Sequence, residues 1–195
     1  MSKPATPEVR LPLIRWLIRG GIAGVVGGMA MAIYAMIASL TYQHRGLFTP
    51  LYHISALTGS PASMVLSMQQ AMSGHSYGFN PGAALVGLVI HMMTGATYGV
   101  IFAVVARYLP RALYILVGAG YGLMVFVVSA FALLPIAASV SSAGDPIRHM
   151  AGIVGYETFA VEHLIFGVAL GAAMLVLAPL KPKVSVTSTL VPVIA

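Results

Sequence analysis

Two stretches of the sequence share one spacing of a histidine and two glycines. HMMTGATYGV at 91–100 and HLIFGVALGA at 163–172 each place glycines four and eight residues after a histidine. Residues four apart lie on one slowly turning face of an α-helix. An imidazole on such a face can bind iron or another metal, relay protons, or hydrogen-bond a neighbouring helix. The residues that raise this question are His91, Gly95, Gly99, His163, Gly167 and Gly171.

The composition assigns these stretches to a membrane. Hydrophobic residues make up 59% of the chain and charged residues only 7%, whereas a soluble domain carries about 25% charged residues. A chain so poor in charge must present apolar side chains to lipid. Segments long enough to cross the bilayer lie at about 21–40, 82–106, 112–138 and 158–179. We therefore expect an all-α integral membrane protein with four transmembrane helices.

The basic residues predict the orientation of these helices. Eight of the ten would lie on one side of a four-span chain: Lys3, Arg10, Arg15, Arg19, Arg107, Arg111, Lys181 and Lys183. The positive-inside rule then places both termini in the cytoplasm, with a basic segment at 1–20, a tail at 181–195, and a bacterial or archaeal cytoplasmic membrane as the location. The net charge of +6 is a topology signal, and no nucleic-acid partner is expected.

Glycine placement also predicts an internal repeat. Gly24 and Gly28 in the first span correspond to Gly118 and Gly122 in the third. Each of these spans is followed by an outer loop and then by a span with the His-x3-Gly-x3-Gly spacing. We therefore expect two helix–loop–helix units, at 21–107 and 112–180, related by a twofold axis along the membrane normal.

The first outer loop contains the stretch SPASMVLSMQQAM at 60–72, which predicts a short amphipathic helix. Ser60 would be its N-cap and Pro61 its first residue. Met64, Met68 and Met72 then fall on one face, which would lie on the membrane surface. As an alternative, soft thioether ligands select copper(I), so the methionines, with His75 and Glu162, could form a metal site.

Three interpretations of the two intramembrane histidines remain open. His91 precedes Arg107, and His163 precedes Lys181, by a similar number of residues. Because these basic residues would lie at the inner surface, both histidines would lie at a similar depth in the outer leaflet. They could pack helices together, with the four glycines as close-approach faces. They could be axial ligands of a b-type haem, with the glycines as its groove. They could also join Glu162 in binding a metal or relaying protons.

The remaining polar residues favour a pocket on the outer side. All six histidines and three of the four acidic residues fall there under this topology. A polar pocket between spans two and four could hold a metal, accept protons or face a partner's cofactor. The arrangement of two histidines on four helices is similar to the layout of small membrane b-type cytochromes.

The function expected from these observations is that of an accessory subunit in a larger membrane complex, of the respiratory or photosynthetic electron-transfer type. The alternatives are a haem b electron carrier and a copper-handling protein. No catalytic activity of its own is expected, because the sequence has no catalytic triad pattern, metalloprotease motif or phosphate loop. The partners would be lipid, other membrane subunits, or a second copy that associates through glycine-rich helix faces.

Overall fold

The computed structural model describes residues 10–59, 61–75, 78–141 and 144–177, and this part of the chain is all-helical. Its α-helices are α1 Arg10–Leu40, α2 Thr49–Ser55, α3 Ala62–Ser73, α4 Pro81–Ala106, α5 Tyr114–Val128, α6 Leu134–Val140, α7 Asp145–Arg148, α8 Met150–Val154 and α9 Tyr156–Leu177. A 3-10 turn, Arg111–Leu113, leads into α5, and a π-helical turn, Ser129–Leu133, joins α5 to α6.

Four segments are long and apolar enough to cross a membrane: Leu13–Leu40, Pro81–Ala106, Arg111–Val140 and Tyr156–Leu177. For the described residues, the prediction of an all-helical fold with four segments long and apolar enough to be spans is therefore confirmed. The first helix extends further than predicted, because α1 already begins at Arg10. Pro12 lies in its first turn, where proline is tolerated, so nothing stops the helix before the predicted span. The predicted tail at 181–195 lies outside the described residues.

The predicted loop helix is present as α3, with shifted bounds. It begins at Ala62, with Pro61 rather than Ser60 at its N-cap; Ser60 lies outside the described residues. The helix ends at Gly74, which adopts the left-handed conformation at φ 67°. A residue without Cβ adopts this conformation at little cost, which is why glycine commonly terminates helices.

The four spans are packed in the order α4, α1, α9, α5. In the first pair, Gly20 of α1 lies against Gly99 of α4, and Gly24 lies against Gly95. These two helices therefore run antiparallel. The pair of α5 and α9 has the same arrangement, with Gly118 against Gly167 and Gly171.

The glycines bring the helix backbones into direct contact. A methyl group on Gly99 would lie 2.7 Å from the Cα of Gly24, and one on Gly122 would lie 3.0 Å from the Cα of Gly167. Real Cβ atoms do not approach backbone this closely. Only glycine therefore fits at these crossings, and the close approach supplies the van der Waals contact that holds membrane helices together.

The arginines of the spans gather at one end of the bundle. Trp16, near the start of α1, packs in one apolar cluster with Ala106 at the end of α4 and Tyr114 at the start of α5. Arg111 at this end donates to the carbonyl oxygen of Leu175 in α9. The loops that contain α2, α3, α7 and α8 lie at the opposite end, where they cover the bundle.

Helix α2 is docked tightly onto α4. Gly87 of α4 lies under Leu51 of α2, so that a methyl on Gly87 would be 2.8 Å from the carbonyl carbon of Leu51. The phenol oxygen of Tyr52 accepts a hydrogen bond from the backbone N–H of Asn80, at 3.0 Å. Asn80 in turn caps α4 by accepting from the N–H of Ala83, at 3.1 Å. Asn80 as the N-cap and Pro81 in the first turn therefore define the start of this span.

Candidate functional site

A cavity lies between the four spans, near the end that the loops cover. About 180 Å³ of it is open to water-sized molecules. Its wall comes from α1, α4, α5 and α9, and its roof comes from α2 and α8. Most of the lining is apolar, but it includes three histidines, an arginine and a glutamate: His53, His91, His163, Arg45 and Glu162.

His163 is buried and has one free ring nitrogen. Its Nδ1–H donates to the carbonyl oxygen of Phe159, one turn earlier in α9, at 2.7 Å. The ring packs edge-on against the rings of Phe159 and Phe126, with centroids 4.4 and 6.1 Å away. Because Nδ1 carries the proton, Nε2 keeps a lone pair and can accept a hydrogen bond or bind a metal.

His91 is held in the same way but through its other nitrogen. Its Nε2–H donates to the carbonyl oxygen of Gly28 in α1, at 3.0 Å. This bond joins α4 to α1 and leaves Nδ1 as the nitrogen with a lone pair. The two histidines thus each present one acceptor nitrogen, and both line the same cavity.

Glu162 is the acidic group of the cavity. Its side chain is buried, with 5% of its surface exposed. Among the described residues, no hydrogen bond or ion pair to its carboxyl group is found. A buried carboxyl group without a partner is costly, so Glu162 is a candidate functional residue.

His53 and Arg45 also belong to this cavity, although sequence reasoning did not single them out. His53 lies on α2 and is 3% exposed, and its Nε2 has no hydrogen-bond partner within the described part of the chain. Arg45 is held in place by the hydrogen bond from its Nη2 to the carbonyl oxygen of Ile153, at 2.8 Å. No sequence signal could have found them, because both lie in a loop whose position depends on the docking of α2.

The pKa of His53 is shifted by its surroundings. Burial, together with the positive charge of Arg45, lowers the pKa of His53 to about 4. The folded state therefore favours the neutral ring. The neutral His53 ring contributes fully to the stability of the fold above pH 6.5, which is the ordinary pKa of histidine. This contribution is lost as the pH falls from 6.5 towards 4.

We expect His53→Gln to remove part of the acid sensitivity of the fold. The shift in pKa corresponds to a loss of about 3 kcal/mol in the free energy of unfolding of the wild type between pH 6.5 and 4. The variant does not have this loss. Thermal unfolding of the purified protein in detergent, followed by circular dichroism across this range, measures the effect. His75→Gln is the control, because His75 is exposed, and its profile should match that of the wild type. A wild-type profile for His53→Gln would contradict the prediction.

The four glycines of the histidine motifs are buried against neighbouring helices. Gly95 and Gly99 contact the backbone of α1, while Gly167 and Gly171 contact that of α5. Their faces are therefore occupied by helix packing. A haem groove along these glycines would require each helix pair to separate.

The candidate copper residues do not come together around one point. Met64 is buried in an apolar cluster with Leu51 and Tyr52, and Met68 packs against the same cluster. Met72 is 88% exposed, and the Nδ1 of His75 is bonded to the hydroxyl of Ser73 at 2.8 Å. In the described ranges, no group of three histidine, aspartate or glutamate side chains could hold a metal ion.

The π-helical turn Ser129–Leu133 borders the cavity through Ser129, and Leu134 follows it in the lining. Pro135 comes next, and it has no N–H to donate to the carbonyl four residues earlier. The missing hydrogen bond explains why the regular helix is interrupted here. Such turns are frequent at functional sites.

No protein-family model matches the chain, and neither a curated protein nor a solved structure shows significant similarity to it. The function must therefore be argued from the chemistry of the site itself. That site is the cavity with its imidazoles, carboxyl group and guanidinium.

Proposed function

We propose that this chain is a subunit that supplies a histidine–glutamate site within the membrane to a larger assembly of the electron-transfer type. The observation that supports this proposal is the single cavity lined by His91, His163 and Glu162. Ionisable side chains at membrane depth are rare and usually functional. The chain would provide a binding site and no catalysis of its own.

The outward faces of the spans support a role in an assembly. Large apolar side chains are exposed along α4, α5 and the π-helical turn, among them Leu85, Met93, Leu116 and Phe131. Lipid or neighbouring subunits would cover them. The orientation that we propose has both termini in the cytoplasm of a bacterial or archaeal cell. It is supported by the arginines gathered at one end of the bundle.

Glycine contacts support the proposed duplication into two helix–loop–helix units. Gly24 lies against the carbonyl oxygen of Gly95, as Gly118 lies against that of Gly167. His91 and His163 each precede the contacted glycine by four residues. The two units would then be related by a twofold axis along the membrane normal.

A purification under mild conditions tests the subunit proposal. The tagged chain is extracted from the membranes of its natural host with a gentle detergent, and the complex is analysed by native electrophoresis and mass spectrometry. We expect other membrane proteins at fixed stoichiometry with the 20.3 kDa chain. Recovery of the chain alone, or only with copies of itself, would overturn the proposal.

A second candidate function is that of a haem b carrier, which the geometry of His163 favours but which would require the helices around the cavity of about 180 Å³ to separate. Metal-bound histidines commonly donate their other ring N–H to a backbone carbonyl, as His163 does to Phe159. His91 would have to bind through Nδ1 or release Gly28. A reduced-minus-oxidised absorption spectrum of the same purified material tests this function. A b-type spectrum lost in His163→Ala would support it, and a featureless spectrum would exclude it.

A further inference from the structure

The cavity has one side that is not sealed by helix packing. The pairs α1 with α4, α1 with α9, and α5 with α9 are all in close backbone contact, as Gly24, Gly27 and Gly167 demonstrate. Helices α4 and α5 complete the ring of four but have few contacts with each other. The opening of the cavity therefore lies between α4 and α5.

Aromatic side chains make contacts between α4 and α5. The hydroxyl of Tyr121 donates to the carbonyl oxygen of Tyr98, at 2.9 Å, and the rings of Phe102 and Tyr121 lie 5.3 Å apart. Of these residues, Tyr98 lines the cavity, and its hydroxyl lies 3.5 Å from that of Ser129 on the other side of the gap. Above them, Thr94 lines the cavity and is exposed. A path thus leads from the surface that faces lipid into the cavity.

The two intramembrane histidines give the cavity acceptor nitrogens, and the guanidinium of Arg45 is a donor in its lining. His163 Nε2 and His91 Nδ1 have lone pairs, because the opposite nitrogen of each ring donates to a backbone carbonyl. The carboxyl group of Glu162 adds oxygen atoms without a bonded partner among the described residues. A ligand that satisfies the two histidine acceptors brings hydroxyl donors on a small head group.

The volume of the cavity limits the size of that head group. A cavity of about 150 Å³ lined by apolar side chains takes up one benzene molecule, and the space here is about 180 Å³. One six-membered ring fits. The apolar lining and the opening towards lipid suit a hydrocarbon substituent on the ring.

We propose that the cavity binds the ring of a lipid-soluble hydroquinone, which enters from the bilayer between α4 and α5. Its two hydroxyl groups donate to His163 and His91, and its apolar tail leaves past Thr94. This inference rests on the site proposed above and names its ligand class. It does not depend on which proteins surround the chain.

Equilibrium binding of an alkylated hydroquinone tests the proposal. The full chain is placed in phosphatidylcholine nanodiscs, and binding of a radiolabelled decyl-hydroquinone is measured without oxygen. We expect saturable binding of one molecule per chain. The dimethyl ether of the probe cannot donate, so we expect it to bind at least tenfold more weakly. Equal affinities for the two probes would overturn the proposal, as would a lack of saturable binding.

Histidine variants test which atoms accept the hydrogen bonds. We expect His163→Leu and His91→Leu each to weaken binding about tenfold, which is the size of one neutral hydrogen bond. His75→Leu is the matched control and should bind as the wild type does. Circular dichroism and gel filtration establish that each variant is folded. Wild-type affinity in both folded cavity variants would contradict the assignment of the head group.

Two threonines of α4 allow the path to be tested without changing a histidine. Thr94 and Thr97 are both exposed, and each hydroxyl donates to the carbonyl four residues earlier, at 2.9 Å. Only Thr94 lines the cavity. We expect Thr94→Trp to slow association of the probe at least tenfold and Thr97→Trp to leave it unchanged. The same rate in both variants would overturn the proposed path.

The binding experiment and the purification can fail separately. If the chain assembles with partners but does not bind the probe, the subunit proposal stands and the hydroquinone proposal is overturned. If the chain binds the probe through His163 but has no partners, the hydroquinone proposal stands and the subunit proposal is overturned.

Discussion

Gly118→Ala is expected to destabilise the protein by about 3 kcal/mol or more by forcing α5 away from α9. The added methyl would lie 3.1 Å from the Cα of Gly171 and still closer to the carbonyl oxygen of Gly167. Both neighbours are backbone atoms, so no side chain can rotate out of the way. Overpacking of this kind commonly costs about 1–3 kcal/mol, and a rigid helix crossing lies at the upper end of that range.

The neighbouring Gly120 provides a matched control on the same helix. A methyl on Gly120 would meet nothing within 4 Å. Because alanine is the better helix former, Gly120→Ala is expected to be neutral or stabilising by up to about 1 kcal/mol. Unfolding in mixed micelles of increasing SDS content, followed by circular dichroism, compares the two variants. Similar stability of Gly118→Ala and Gly120→Ala would show that the glycine crossing is not essential to the pair.

Gly87→Ala is expected to displace α2 and to expose His53. The methyl would lie 2.8 Å from the carbonyl carbon of Leu51 and 3.1 Å from its Cα. Helix α2 has only seven residues, so it is more easily displaced than α4. We expect a destabilisation of about 2 kcal/mol. The pKa of His53 should rise from about 4 towards the ordinary value near 6.5.

NMR titration of the His53 ring in the Gly87→Ala variant measures this change directly. Gly82→Ala is the control on the same helix, because its methyl would lie 3.5 Å from the Oδ1 of Asn80, an ordinary contact. We expect the control to keep the wild-type pKa. An unchanged pKa in Gly87→Ala would mean that burial of His53 does not depend on the docking of α2. The Gly87→Ala variant should also lose the acid sensitivity of the fold that His53→Gln removes.

The sequence by itself determined the class of the protein and its four spans. Lipid imposes one requirement on every residue of a span, so length and apolar composition suffice to find it. The capping of α4 by Asn80 was equally predictable, since it depends on residues adjacent in the chain.

Tertiary structure alone decided what faces the motif residues. From spacing, Gly95 and Gly167 could have lined a groove or a helix contact, and only the packed helices show that backbone covers them. The methionine spacing likewise did not reveal that Met64 is buried and Met72 exposed. A periodic pattern defines a face of a helix but not the neighbour of that face.

The composition of the cavity depended even more on the tertiary structure. His91 and His163 were found from their spacing, and Glu162 from its position within a span. His53 and Arg45 come from a loop segment, and they reach the cavity only because α2 docks over Gly87. Such docking depends on the shapes of surfaces far apart in the chain, and these shapes exist only after the spans have packed.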